Sequence, residues 1–230
     1  MTLGVTSLLS PASDHRLRTL TDALATAGHA AGFIDGPWQD RFDAMRDGSA
    51  PVGWLCGLLH VELSSHGDWP YRAVAARRST RNGSRGDPVY FGDVVVSGRS
   101  DVQDFRDLRG STFAYNETAS LSGYRMMIDH LGSGDTDLSF FSATVASGSH
   151  SASMRLVADG EADCAIIDST LIDDGVAGTH ELRTLVSVGP YPAPPLVAAP
   201  GLEDLLRAAA ISRGWTGVDD DDYSTLRAAL

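Results

Sequence analysis

The feature that most constrains this chain is a regular exchange between short apolar runs and segments whose apolar residues recur every three or four positions. Residues 3–9 (LGVTSLL) read as a strand. Beyond Pro11, with Ser13 and Asp14 as candidate caps, Leu17, Leu20, Leu24 and Ala27 recur at helical spacing until Gly28 closes the run. A strand over 30–34, a helix over 38–47, a strand over 51–55 and a helix over CGLLHVELSSHG follow in turn. Strands that alternate with helices predict a parallel α/β arrangement with both sheet faces covered.

The pattern then repeats. A strand from Tyr71 to Arg78, a polar loop (RSTRNGSRGDP) and a strand over VYFGDVVVS lead to a short helix, DVQDFRDLRG, closed by Gly110. STFAY reads as a strand feeding NETASLSGYRMMIDHLG; LSFFSAT as a strand feeding GSHSASMRLVADG; DCAIID as a strand feeding the helical turn STLIDDG. Two such blocks, before and after about residue 92, predict two lobes of roughly 100 residues each, a size at which each supports its own core. An extended, Pro-rich return (LRTLVSVGPYPAPPLVAAP) precedes two terminal helices.

Composition removes several chemistries. All 18 basic residues are Arg, so no lysine is present to form a Schiff base or to end a phosphate-binding loop. Thirty acidic residues give a net charge of −12, which opposes attraction to nucleic acid or anionic membranes. Any anionic ligand must therefore be held by local donors. Cys56 and Cys164 form no C-x-x-C pair, so no zinc or redox motif is expected, and both read as buried thiols in or near strands. The beginning of the chain lacks a basic, then apolar, leader pattern, and no run of 18 apolar residues follows. The expectation is a cytoplasmic protein as written, without membrane insertion, or an extracytoplasmic one if this is a trimmed mature form.

The most informative segment is residues 116–124, NETASLSGY, between a predicted strand and a predicted helix. Hydroxyls at Ser120 and Ser122, free backbone N–H groups and the positive end of the helix dipole are the ingredients of an anion site, although either serine also serves as a helix cap. GSHSA, residues 148–152, repeats the arrangement one unit later and places His150 at a helix start. Asp168 ends the next strand, as a cap or as a counter-charge for a cationic ligand group. Ser122, His150 and Asp168 also suggest a hydrolytic trio, but no G-x-S-x-G elbow is present and their chain order departs from that of the α/β hydrolases. The acidic run Asp219 to Asp222 lacks the alternating oxygens and glycine turn of a calcium loop, so no metal site is expected. Trp54 and Tyr90 fall near predicted strand ends, where they serve as core or as ligand-stacking residues.

Taken together, PVGWLCGLLHVE, VYFGDVVVSGRSDVQDFRDLRGSTFAY, NETASLSGY, GSHSASMRLVADGEADCAIIDS and GPYPAPPLVAAP resemble the phosphate/phosphonate-binding proteins of ABC transporters, in the type 2 periplasmic binding protein superfamily. The resemblance implies an α/β fold of two lobes, residues 1–92 with 188–230 and residues 93–187, joined by two hinge strands around a ligand cleft. It implies that Ser120, the backbone of Leu121, and Ser122 hold phosphonate or phosphate oxygens. Leu121 stands where the family's turn has Thr and offers its N–H alone. Tyr90 and His150 would add donors, Asp168 would face a ligand amino group, and Trp54 and Cys56 would line the first lobe's wall. Such a protein clamps a small oxyanion without turning it over and without a cofactor, and hands it to an ABC permease or serves as a sensor. The alternative is a cytoplasmic enzyme on the same fold, similar to menaquinone- and thiamine-pathway proteins, with His150 as its candidate catalytic group.

Overall fold

The structure is a computed structural model that describes residues 2–134 and 136–229. In chain order its elements are β1 (Leu3–Ser7), α1 (Asp14–Thr26), β2 (Ala31–Phe33), α2 (Trp38–Arg46), β3 (Val52–Trp54), α3 (Gly57–Ser65) and β4 (Arg72–Ala76). Next come β5 (Val89–Ser97), β6 (Thr112–Tyr115), α4 (Met126–Ser133), β7 (Ala143–Ala146), α5 (His150–Ala158), β8 (Cys164–Asp168), α6 (Ser169–Asp173) and β9 (Leu182–Pro192). The chain ends with β10 (Pro195–Ala198), α7 (Glu203–Ser212), β11 (Thr216–Gly217) and a 3-10 segment over Asp220–Ala229. It divides into two compact units, residues 1–89 with 192–230 and residues 90–191.

The first unit is built on a six-stranded sheet in the order β11-β4-β10-β3-β1-β2. Strands β1, β2 and β3 run parallel, while β10 runs antiparallel to both β3 and β4. The two-residue period of a strand sends successive side chains to opposite faces. Leu196 and Ala198 accordingly enter one core with Val5, Leu17, Leu20, Leu24 and Trp215, and Val197 enters the other with Met45, Leu55 and Tyr71. Helix α1 presents Leu17, Leu20 and Leu24 to the sheet and stops in a Schellman motif, in which Gly28 N–H donates to Ala25 and His29 N–H to Leu24.

The second unit carries a five-stranded sheet in the order β7-β6-β8-β5-β9. Strand β6 lies parallel to β7 and β8, and β5 runs antiparallel to β8 with Gly92 opposite Asp168. Val94, Val95, Phe113, Ile166 and Ile167 are fully buried, as expected of strands covered on both faces. The strand expected over LSFFSAT is displaced. Residues Leu138–Phe140 form a 3-10 turn capped by Asp137, and the strand begins at Ala143. Phe140 and Phe141 are both buried, stacked on Phe105 and Phe113 respectively, with their own rings nearly perpendicular. Likewise DVQDFRDLRG yields a 3-10 turn, Phe105–Leu108, held by a capping box between Asp104 and Asp107. No helix among the described residues is long and apolar enough to cross a membrane.

Candidate functional site

Because β6, β7 and β8 are parallel, their carboxyl ends share one edge of the second unit's sheet, and the helices that follow begin there. Strand β6 is flanked on both sides by strands reached through separate crossovers, which is the topological switch point where α/β folds collect ligands. Tyr90, on antiparallel β5, lies at the same edge and is buried, 2% exposed.

The backbone sets the two Ser- and His-bearing turns against each other. Past the last β6–β7 pair, Tyr115 with Ala146, the ladder continues through Ser147 N–H to Tyr115 and Gly148 N–H to Asn116. Gly148 adopts a φ of +85°, a conformation that admits few other residues, and turns the chain into α5. Ser149 caps α5 by accepting from Ala152 N–H, and Ser120 caps the opposite helix by accepting from Gly123 N–H at 3.0 Å. Residues Leu121–Arg125 form a π turn, with Arg125 N–H bonded back to the Ser120 carbonyl, before α4 takes up regular winding. Such single π turns gather at functional sites, and the first turn of any helix leaves its N–H groups without carbonyl partners. Gly123 is required by packing: a Cβ there would come to 1.9 Å from Asn116 Oδ1.

The outcome is a contact of 3.3 Å between Ser122 Oγ and His150 Nε2. His150 Nδ1 is buried with no hydrogen-bond partner. We therefore assign the proton to Nε2, where it donates to Ser122 Oγ, because the other tautomer would bury an unsatisfied N–H. That arrangement frees the Ser122 hydroxyl proton to point at a ligand. Burial pushes the His150 pKa down to about 4, so the ring is neutral at pH 7. None of Ser120, Leu121, Ser122 and His150 then carries charge, and an anion here is met by hydroxyls, backbone N–H groups and two helix dipoles.

The remaining expected residues fall as follows. Leu121 is fully buried, so its side chain belongs to the core and its N–H stands in the first turn. Asp168 is at the shared edge, where its Oδ1 accepts from Thr170 N–H and Thr170 Oγ1 and so caps α6. With His150 Nδ1 unpartnered, no carboxylate among the described residues orients the imidazole, and Ser122, His150 and Asp168 do not stand in a hydrolase triad. Trp54 is 2% exposed in the core of the first unit, edge-on to Trp215, with its indole N–H given to the Pro194 carbonyl. Cys56 is half-buried at the start of α3, and Cys164 is buried in β8. At the edge where β1, β2 and β3 end, Trp38 is 42% exposed, its indole N–H donating to Leu8 O at 3.2 Å.

Two α/β units, each with a partly parallel sheet, and a donor-lined helix start at a switch point define the two-lobed solute-binding class of protein. Among the solved structures that share the fold, three are described. A binding protein component of an ABC phosphonate transporter from Pseudomonas aeruginosa is 16% identical, with a TM-score of 0.73 over 98% of this chain and 84% of that one. PhnD1 from Prochlorococcus marinus, solved with methylphosphonate, is 16% identical, with a TM-score of 0.79 over 98% and 96%. The periplasmic aliphatic sulphonate binding protein SsuA from Escherichia coli is 14% identical, with a TM-score of 0.61 over 93% and 70%. The model of the phosphonate ABC transporter periplasmic substrate-binding proteins matches residues 33–228, and the chain belongs to that family.

Proposed function

We propose that this protein binds a small phosphonate or phosphate at the helix start of residues 120–123 and presents it to an ABC permease, working outside the cytoplasmic membrane and without turnover. The observation that carries this reading is the 3.3 Å contact between Ser122 Oγ and His150 Nε2, since it joins two helix starts around one point of uncharged donors. Ser120 and Ser122 hydroxyls and the Leu121 N–H take the ligand oxygens, with Tyr90 and Asp168 bordering them at the same edge. Asp168 gives a ligand amino group its counter-charge. The absence of an orienting partner on His150 Nδ1 supports binding over catalysis. Methylphosphonate bound to PhnD1, similar in fold, supports the ligand class.

Calorimetric titration with methylphosphonate, phosphate, 2-aminoethylphosphonate and methanesulfonate tests the proposal. A hydrogen bond to a charged group contributes about 1.5–3 kcal/mol, so Ser122→Ala is expected to weaken phosphonate binding roughly 10- to 150-fold, and His150→Ala, which removes the donor that orients the Ser122 hydroxyl, to weaken it less. Preference for the amino compound, lost in Asp168→Asn, assigns Asp168 its role. Equal affinity in wild type and both alanine variants overturns the site.

A further inference from the structure

The contact between Ser122 and His150 has little slack. Ser122 Oγ and His150 Nε2 are 3.3 Å apart, and at about 3.6 Å no hydrogen bond remains. A shift of a few tenths of an ångström in the start of α5 therefore breaks it, so that start must be fixed against the end of β6. Main-chain bonds do part of this, through Ser147 N–H to Tyr115 O and Gly148 N–H to Asn116 O. That ladder ends at Gly148, where the chain turns into the helix.

The link onward is a pair of hydroxyls. Ser153, one turn into α5, is 0% exposed, and its Oγ lies 2.7 Å from Ser147 Oγ. Ser147 Oγ in turn lies 3.0 Å from Tyr115 O and 3.0 Å from Ser149 O. The proton count fixes the direction. Were Ser147 to donate to Ser153, the Ser153 proton would have no acceptor among the described residues, so Ser153 donates to Ser147 and Ser147 to the two carbonyls. One oxygen thus joins the last residue of β6, the turn after β7, the cap of α5 and its first turn.

The helix itself does not call for this arrangement. A buried helical serine can give its proton to the carbonyl four residues back, here Ser149 O, and then needs no partner outside the helix. Alanine at position 153 would serve the helix better and bury no polar atom. What the pair does achieve is to tie α5 to the strand end from which residues 116–123 continue, where Gly123 packs on the Asn116 side chain. We propose that Ser147 and Ser153 are positioning residues of the ligand site: their hydroxyl pair locks the start of α5 to the end of β6 and so keeps His150 within reach of Ser122. Its consequence for a ligand rests on the oxyanion reading above; the placement of His150 does not.

Titration of the full-length protein with methylphosphonate tests it in wild type, Ser153→Ala, His150→Ala and the double variant, with melting temperatures to check folding. Ser153→Ala is expected to weaken binding roughly 3- to 10-fold, the range of one ordinary hydrogen bond, and no further than His150→Ala does. In the His150→Ala background the same substitution is expected to change affinity by less than about twofold, because the group it acts through is gone. Equal losses in both backgrounds, or none in either, overturn the inference. A second readout needs no ligand. The titration of the His150 ring, followed by NMR, is expected to move up in Ser153→Ala from about 4 toward the ordinary 6.5 as the ring is released toward water, and an unmoved ring overturns the inference. If Ser153→Ala does not fold, Ser147→Ala, in the half-buried turn, carries the same two tests. Failure of wild type to bind methylphosphonate would overturn the proposed function instead, and the ring titration alone would then decide this inference.

Discussion

At the scale of single residues, Ser120, Ser122 and His150 are polar without being charged. His150 shows why this matters for stability as well as for binding. Its pKa lies near 4 in the folded protein because burial opposes the imidazolium, while in the unfolded chain it returns to the ordinary value of 6.5. Between those values the unfolded state binds the extra proton, so the folded state loses stability as pH falls from about 6.5 toward 4. His150→Gln lacks this proton. Melting curves at intervals of pH should therefore fall more steeply for wild type than for the variant across that window, and parallel curves would contradict the assignment of a buried, neutral ring. Leu121 makes a complementary point: its fully buried side chain anchors the π turn from below, so a hydroxyl installed there would face the core rather than a ligand.

Elements were legible to different depths, for physical reasons. Helix α1 and the strands that alternate with it could be read because their apolar residues face one or two covered surfaces with a fixed period. Strand β7 could not, since all four of its residues are exposed and its neighbours Phe140 and Phe141 carry the apolar signal instead. The helix starts at Ser120 and at His150 were readable from cap residues, but the ladder from Tyr115 to Gly148 that brings them into contact is a matter of register, which a linear sequence does not display. For Trp54 the sequence left core and ligand-stacking readings open, because proximity to a strand end does not reveal which face its ring takes. The terminal 3-10 segment was legible as a helix with an acidic start, yet one of its attachments was not. Asp220 accepts from His60 Nε2, Ala73 N–H and Arg72, all at 2.9 Å, and so ties this segment to α3 and β4. Burial opposes the Asp220 charge, but those hydrogen bonds outweigh it and hold the carboxyl far below the usual range. Asp220→Ala is expected to cost about 2–4 kcal/mol at pH 7, as for a partly buried charge stripped of its hydrogen bonds. Because the folded pKa is depressed, that contribution persists down to the ordinary carboxylate value near 3.8 and fades only below it. Denaturant titrations at pH 7 and pH 3 would show the gap between wild type and variant narrowing; a gap of equal size at both would assign it to packing instead.

At the scale of the whole molecule, a net charge of −12 coexists with a proposed anion site that is local in origin, drawn from helix starts and hydroxyls. Long-range attraction therefore contributes little to it. The placement of β10 has a different consequence, for the order in which the protein is made. In the first unit's sheet β10 stands between β3 and β4, so β4 and β11 have no neighbour linking them to β1, β2 and β3 until residues 195–198 exist. All strands of the second unit, by contrast, come from one uninterrupted stretch ending at Pro192. A ribosome thus releases the opening half of the first unit well before the strand that completes its sheet, while the second unit is whole as soon as it emerges. A fragment of residues 89–192 should melt cooperatively and residues 1–88 should not, which makes the part translated second the first to fold.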